Sequence, residues 1–171
     1  GGLGNQLFQY AVARHLAEIY NTTLKIDLTE FEFYKLHKYS LQHFKIIEEI
    51  ASDDDLKAVK EAKEKHFHFD AEFKSISNNV LLKGYWQTEK YFYKAQDAIR
   101  LDFTFKQSIT ECNTELIDLI DGSVSVSLHI RRGDIASNPI SLAFHGLCSL
   151  AYYQRALEYV TDRVANPTFF I

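Results

Sequence analysis

Seven residues, Val124 to Ile130, alternate apolar and polar without a break, and no other stretch restricts the fold of this chain so tightly. Val124, Val126, Leu128 and Ile130 fall on one face of an extended segment, and Ser125, Ser127 and His129 on the other. A period of two marks a strand with one side on a core. From about Leu150 to Val164 the spacing becomes helical, with Leu150, Tyr153, Leu157, Val160 and Val164 on one stripe. Asn166-Pro167 punctuates that helix, and Thr168, Phe169, Phe170 and Ile171 open a second apolar, β-like run. Strand, loop, helix and strand in that order predict a βαβ unit, and with it an α/β fold containing parallel strands.

Upstream, Gly1, Gly2 and Gly4 lead straight into an amphipathic helix with Leu7, Phe8, Ala11, Val12, His15, Leu16 and Ile19 on one stripe. Glycine-rich turns of this kind usually follow a strand, so a first strand is expected ahead of Gly1. The unfinished run at Ile171 points the same way, and the chain reads as a window truncated at both ends. Between these ends the pattern predicts a strand from Leu24 to Leu28. A helix follows from Ser52 to about Lys65, with the Ser52 hydroxyl as its cap and Asp55 at the capping-box position. A strand from Val80 to Trp86 comes next, then helices from Glu89 to Arg100 and from Glu111 to Ile120, the second ended by Asp121-Gly122. No internal repeat is present.

Composition closes several alternatives. At 171 residues the chain suits one compact domain or a little more. A net charge of −4 leaves no basic field to hold a polyanion, which argues against a nucleic-acid partner. Hydrophobic residues at 46% supply a core, while 7 Gly and 2 Pro argue against a linker. Cys112 and Cys148 have neither zinc-site nor disulfide-framework spacing, so reduced, buried thiols are expected. No apolar run approaches the ~18 residues of a membrane span, and no signal-peptide pattern is present, so the chain reads as soluble and cytoplasmic. The sequon at Asn21-Thr22-Thr23 has the weight of a chance tripeptide.

Directly after the alternating strand comes His129-Ile130-Arg131-Arg132-Gly133-Asp134, two guanidiniums and a carboxylate where a strand leaves its sheet. Ligands of open α/β sheets bind at that end. An arginine fork matches two phosphate oxygens and keeps its charge when partly buried, so a diphosphate is the anion these residues suit, with Asp134 orienting a guanidinium or the loop. The competing reading is a silent surface pair in a turn, worth ~1 kcal/mol or less. Arg132-Gly133-Asp134 as an adhesion tripeptide is discarded, because three residues recur by chance.

A second glycine-rich segment, Gly1-Gly2-Leu3-Gly4-Asn5-Gln6, puts backbone N–H groups at the positive end of the following helix, suited to an anion or a sugar hydroxyl. It has no nucleotide-binding glycine spacing, and a tight turn capped by Asn5 or Gln6 explains it equally. Gly84-Tyr85-Trp86-Gln87 and the residues to Phe92 are built like a sugar platform. Core packing accounts for Tyr85 and Phe92, while Trp86 and Gln87 stay open between the two readings. Asp53-Asp54-Asp55 is read as helix-start chemistry rather than a cation site. His66 and His68 lack a third ligand nearby, and His15 is read as a core histidine.

Taken together, GGLGNQLFQYA, GYWQTEKYF, VSLHIRRGD and HGLCSLAYYQRAL resemble the α-1,2-fucosyltransferase family in motif, order and spacing, from Gly1 to Ile171. The resemblance implies a GT-B-like fold of two Rossmann-like lobes with the active site between them. On that reading residues 1–121 are the acceptor-side lobe, lacking its first strand, and residues 122–171 begin the donor-nucleotide lobe. It implies an inverting glycosyltransferase that moves L-fucose from GDP-fucose to the 2-hydroxyl of a galactose-terminated glycan, with no cofactor and no metal. The family's HxRRxD signature corresponds to His129, Arg131, Arg132 and Asp134, with Arg131 and Asp134 the catalytic candidates. Gly2, Gly4, Asn5, Gln6, Gln87 and His145 join His129, Arg131 and Arg132 as substrate-binding candidates. The motifs leave the general base unassigned, and Ile135 stands where the family often has tyrosine. Protein O-fucosylation shares the arginine clamp, but the GGLGNQ opening and the absence of a disulfide pattern argue against it. The alternative from another class is a non-catalytic sugar- or nucleotide-binding fragment that keeps the motifs.

Overall fold

Tyr10, Ala11 and Val12 are consecutive, yet they are only 3, 1 and 0% exposed. Successive helical residues point about 100° apart, so helix α1 (Leu3–Tyr20) is covered around most of its circumference instead of along one stripe. Tyr10 packs with Leu24, Leu41, Phe44 and Ile46. Val12 and Leu16 pack with Phe73, Trp86 and Tyr91, and Ala11 with Ala95 and Ile99. The expected stripe therefore holds at Ala11, Val12, His15 and Leu16, but Ile19 is 57% exposed while Gln6 and Tyr10 are buried. A helix at the centre of a unit needs apolar residues on several sides, and a one-sided reading misses the others.

The computed structural model describes residues 1–33, 36–107 and 113–171. They fall into two compact units, Gly1–Ser108 and Ile109–Ile171, and each contains one parallel strand pair. In the first unit α1 is followed by α2 (Thr29–Phe33), α3 (Asp53–Lys57), β1 (Lys60–Lys63), β2 (Val80–Lys83) and α4 (Gln96–Asp102). The register of β1 on β2 runs from Lys60↔Val80 to Lys63↔Lys83. Tyr10 ties α1 to the end of α4: its hydroxyl donates to Asp102 Oδ2 at 2.7 Å and accepts from Ile47 N at 3.0 Å.

Several elements differ from their sequence expectation. Leu24 to Leu28 pairs only through a parallel bridge, Ile26↔Ile50. Ser52 and Asp55 form the expected reciprocal cap, but α3 stops at Lys57. Residues 60–63, good helix formers, are taken into the β ladder instead; helix propensities of a few tenths of a kcal/mol per residue yield to tertiary pairing. The strand from Val80 ends at Lys83, before the turn in which Trp86 adopts φ 56°. The helix expected from Glu89 to Arg100 is two 3-10 turns, Glu89–Tyr91 and Tyr93–Ala95, and becomes α-helical only at Gln96. Burial of Tyr91 in the core and donation from Asp70 N to its hydroxyl (2.8 Å) hold the first turn in place.

The second unit contains α5 (Thr114–Asp121), β3 (Val124–Ser127), α6 (Gly133–Ser137), α7 (Pro139–His145), α8 (Leu150–Thr161) and β4 (Pro167–Phe170). β3 and β4 pair in parallel from Val124↔Pro167 to Ser127↔Phe170, so the expected βαβ unit is present, with β3 ending at Ser127 instead of Ile130. Leu128 N extends the ladder to Phe170 O at 2.8 Å. Helix α5 ends at Gly122 as expected, while Glu111 and Cys112 lie outside the described residues. α5 packs on β3 within the Ile109–Ile171 unit. The apolar rows are only half covered here: Val126 and Leu128 are partly buried, whereas Val124, Ile130 and Leu150 are exposed. Cys148 is an exposed thiol rather than a buried one.

Candidate functional site

Past β3 the chain runs through His129 to Arg132 at the carboxyl end of the strand and enters α6. Asn138 starts α7, its Oδ1 accepting from Ile140 N at 2.9 Å and Ser141 N at 3.1 Å. The helix ends at His145, where Gly146 takes φ 67° and ψ −177°, a conformation almost confined to glycine. That turn sends the chain back to Ser149, whose hydroxyl accepts from Tyr152 N at 3.2 Å and caps α8. These two changes of direction border an open cavity of about 420 Å³.

His129, Arg131 and His145 line that cavity, so three of the sequence candidates are brought together. Ile135, Leu147, Tyr152 and Tyr153 supply its less polar wall, and Cys148 lies between them. Ile135 is the buried member of this set. Partial burial, followed by the Cys148 thiol it bonds, pushes the Tyr153 hydroxyl up from its ordinary value, with the Arg132 charge pulling the other way. The first turn of α8 forms part of the wall, so the positive end of that helix adds to the Arg131 charge. The arrangement can hold an anion against flat rings.

Arg132 does not line the cavity. It is exposed at the N-cap of α6, and its carbonyl accepts from Ala136 N at 2.6 Å. Both arginines follow the carboxyl end of β3; Arg131 lines the cavity, and the Arg132 charge is felt at Tyr153 in its wall. Asp134 lies in α6, and its side chain is outside the described residues. Tyr152, Leu147 and Cys148 lie in the motif HGLCSLAYYQRAL, but none was a sequence candidate for the site. Their signal was the Ser149 cap, which fixes where α8 begins and which side chains its first turn offers.

In the Gly1–Ser108 unit the candidates have different fates. α1 begins at Leu3, so Gly4 belongs to its first turn and not to a loop, and Gly2 is its N-cap. Gln6 is 4% exposed, with all its polar atoms engaged. Its Nε2 donates to Gly1 O at 3.0 Å and Lys38 O at 2.9 Å, and its Oε1 accepts from Ser40 N at 2.9 Å. The amide expected to meet a substrate instead holds residues 38–40 against α1. Asn5 and Gln87, 82 residues apart, are joined: Gln87 Nε2 donates to Asn5 Oδ1 at 2.7 Å. Trp86 is core, packed on Phe73 and Tyr91.

A larger cavity of about 660 Å³ lies in this unit beneath α1, walled by residues 22–27 and by β2. Gln6, whose amide is engaged, lines it together with Gly1 from the opening segment and Gly84 and Tyr85 from the aromatic stretch. Among the described residues no group of three or more His, Cys, Asp or Glu is placed to hold a metal ion. No described helix is long and apolar enough to cross a membrane.

The family model described as Glycosyl transferase family 11 matches residues 1–171. An alpha-1,2-colitosyltransferase of Escherichia coli is 33% identical, with 100% of this chain and 65% of the relative covered. An O-antigen biosynthesis glycosyltransferase of the same organism, WbnK, is 28% identical, with 95% of this chain and 66% of the relative covered. The chain thus spans a little under two thirds of the length of these curated relatives. No solved structure matches it.

Proposed function

The chain belongs to glycosyl transferase family 11, and from that premise we propose that it moves L-fucose from GDP-fucose to the 2-hydroxyl of a terminal galactose, with inversion and without a metal. On this reading the two α/β units are GT-B-like lobes, and the Ile109–Ile171 unit takes the donor.

One observation carries the proposal: His129, Arg131 and His145 line a single cavity at the carboxyl end of β3. That is where open α/β sheets bind ligands, and about 420 Å³ is within the ordinary range for a small-molecule site. As the glycosyl bond opens, negative charge collects on the departing diphosphate while the sugar becomes cationic. The Arg131 fork, held in a partly enclosed wall, stabilises that charge as it forms. A guanidinium here does the work of a divalent cation. Arg132 adds to the field, His129 and His145 offer ring N–H donors, Asp134 orients the loop, and Asn5 and Gln87 offer amides to sugar hydroxyls.

A second donor is favoured by the relative that is 33% identical over the whole chain, an alpha-1,2-colitosyltransferase. Colitose lacks the 3-hydroxyl of fucose. A site that hydrogen-bonds this hydroxyl rejects the deoxy sugar by a factor of about 10⁴, whereas an apolar wall there discriminates weakly. Turnover measured with both GDP-sugars and a β-galactoside, without metal, separates the two donors.

The deciding measurement is calorimetric titration with GDP, paired with the transfer assay. Arg131→Ala is expected to weaken GDP binding and to lower transfer about a hundredfold. GDP binding without transfer in the unaltered chain supports the non-catalytic reading. Unchanged GDP affinity in Arg131→Ala would refute the role given to this cavity.

A further inference from the structure

We propose that Glu64 is a positioning residue for the Asn5 carboxamide, acting through the turn at residues 84–88 and through Gln87. The inference deepens the transferase reading, on which Asn5 and Gln87 contact sugar hydroxyls.

Glu64 follows β1 directly, and its own N–H donates to Lys83 O at 2.8 Å, extending the ladder by one rung. Its carboxylate then receives two successive backbone donors, Tyr85 N on Oε2 at 2.8 Å and Trp86 N on Oε1 at 3.1 Å. Charge-assisted bonds of this kind are the strong ones. They hold Trp86 at φ 56°, a left-handed conformation unfavourable to a bulky side chain. The indole is anchored independently, at 2% exposure among Phe73 and Tyr91, and Thr88 N closes the turn on Trp86 O at 2.8 Å. With its backbone gripped by a carboxylate and its ring by the core, Trp86 reverses the chain. The next residue, Gln87, is thereby delivered to Asn5.

A second tie runs in parallel, with Gln9 Nε2 donating to Gly84 O at 2.8 Å, so the turn is registered against the first two turns of α1. Gly84 confirms how closely Glu64 is seated. A Cβ there would drive into the Glu64 side chain and come within 3.2 Å of Trp86 Nε1. For Asn5 the consequence is directional: Gln87 donating to Oδ1 fixes the carboxamide with Nδ2 beside Gly1, and its N–H groups are the donors that a hydroxyl or phosphate oxygen accepts from. Glu64 touches no candidate ligand group itself.

The test uses the full chain labelled with ¹⁵N and the variant Glu64→Gln, which keeps the shape but replaces one acceptor oxygen by a donor. The Tyr85 and Trp86 amide resonances are expected to move, and so are the side-chain amide resonances of Asn5 and Gln87. In transfer assays kcat is expected to fall about a hundredfold, with KM for the donor changing much less, as misplacement of a reacting group produces. Asn5 and Gln87 resonances that stay fixed while Tyr85 and Trp86 respond would overturn the proposal, leaving Glu64 a structural residue. Should Glu64→Gln fail to fold, Gln87→Ala and its combination with Glu64→Asp decide. Gln87→Ala must shift Asn5, and the second change must add no further loss of kcat/KM; additive losses overturn the proposal. Failure of the transferase reading is seen separately, as GDP binding without transfer in the unaltered chain, and the Asn5 resonance still judges Glu64 in that case.

Discussion

Replacement of Gln6 separates a structural amide from a substrate-binding one. Gln6→Ala removes three hydrogen bonds of 2.9–3.0 Å and strands the Gly1 and Lys38 carbonyls and the Ser40 N–H. A buried polar group left without a partner costs about 1–3 kcal/mol. Lys38 is exposed and Ser40 half-buried, so both recover some water, and about 2 kcal/mol remains for the set. Loss of the buried side-chain methylene adds about 1 kcal/mol. A total of about 3 kcal/mol corresponds to a fall of roughly 12 °C or more in the midpoint of a unit this size.

The chain has one tryptophan, Trp86, buried in the same unit, so its fluorescence follows unfolding of Gly1–Ser108 specifically. Gln6→Glu sharpens the test. It keeps an acceptor for Ser40 N–H but turns a carboxylate towards two carbonyls, so burial raises the carboxyl pKa in the folded state. Its stability is therefore greatest in acid and lost as pH rises through that folded value, opposite to an ordinary surface carboxylate. If Gln6→Ala instead melts with the parent while losing GDP or acceptor binding, the amide faces ligand and the structural reasoning fails.

His15 is buried, and that burial holds its pKa below 6.5. The unfolded chain takes up the proton first, so this contribution is intact above pH 6.5 and lost as pH falls from there through the folded value; His15→Leu should flatten the fall of the Trp86 transition midpoint below pH 6.5. Gly146→Ala meets no atom within 4 Å but strains φ 67°, at about 1–3 kcal/mol, and should speed hydrogen exchange in α7 and the start of α8 while weakening GDP binding. Gly4→Ala also meets nothing within 4 Å, and inside α1 it should raise the Trp86 midpoint by the equivalent of about 0.5–1 kcal/mol. A gain in stability with a loss of transfer would show that Gly4 is kept for close approach of substrate.

Local signals carried further than long-range ones. The alternation at Val124–Ile130 and the punctuation at Asn166-Pro167 foretold a parallel pair because both are written in adjacent residues. The Ser52/Asp55 cap was equally legible, and the end of its helix was not, since Lys60–Lys63 is claimed by a strand twenty residues away. The contacts that organise the first unit join positions with no shared periodicity: Gln6 with Lys38 and Ser40, Asn5 with Gln87, Glu64 with Tyr85 and Trp86. Nothing in the spacing of a glutamate before an aromatic run says which backbone amides it will receive.

The alternation that predicts the strand, counted past the end of β3 at Ser127, sorts the arginine pair by parity. Counting on from the alternation, His129 and Arg131 share the parity of Ser125 and Ser127, while Arg132 falls in step with Ile130. His129 and Arg131 line the cavity, and neither Ile130 nor Arg132 does. On the proposed reading the two guanidiniums are not equivalent partners of one anion. Arg131 belongs to the wall, and Arg132 sits where α6 begins and acts on it through its charge. A bidentate contact from one arginine is broken when its fork is removed, but a field from a neighbour is weakened by salt and largely restored by lysine. Arg131→Lys should therefore cost far more GDP affinity than Arg132→Lys, in titrations at low and high ionic strength. Equal losses would return the pair to a shared clamp.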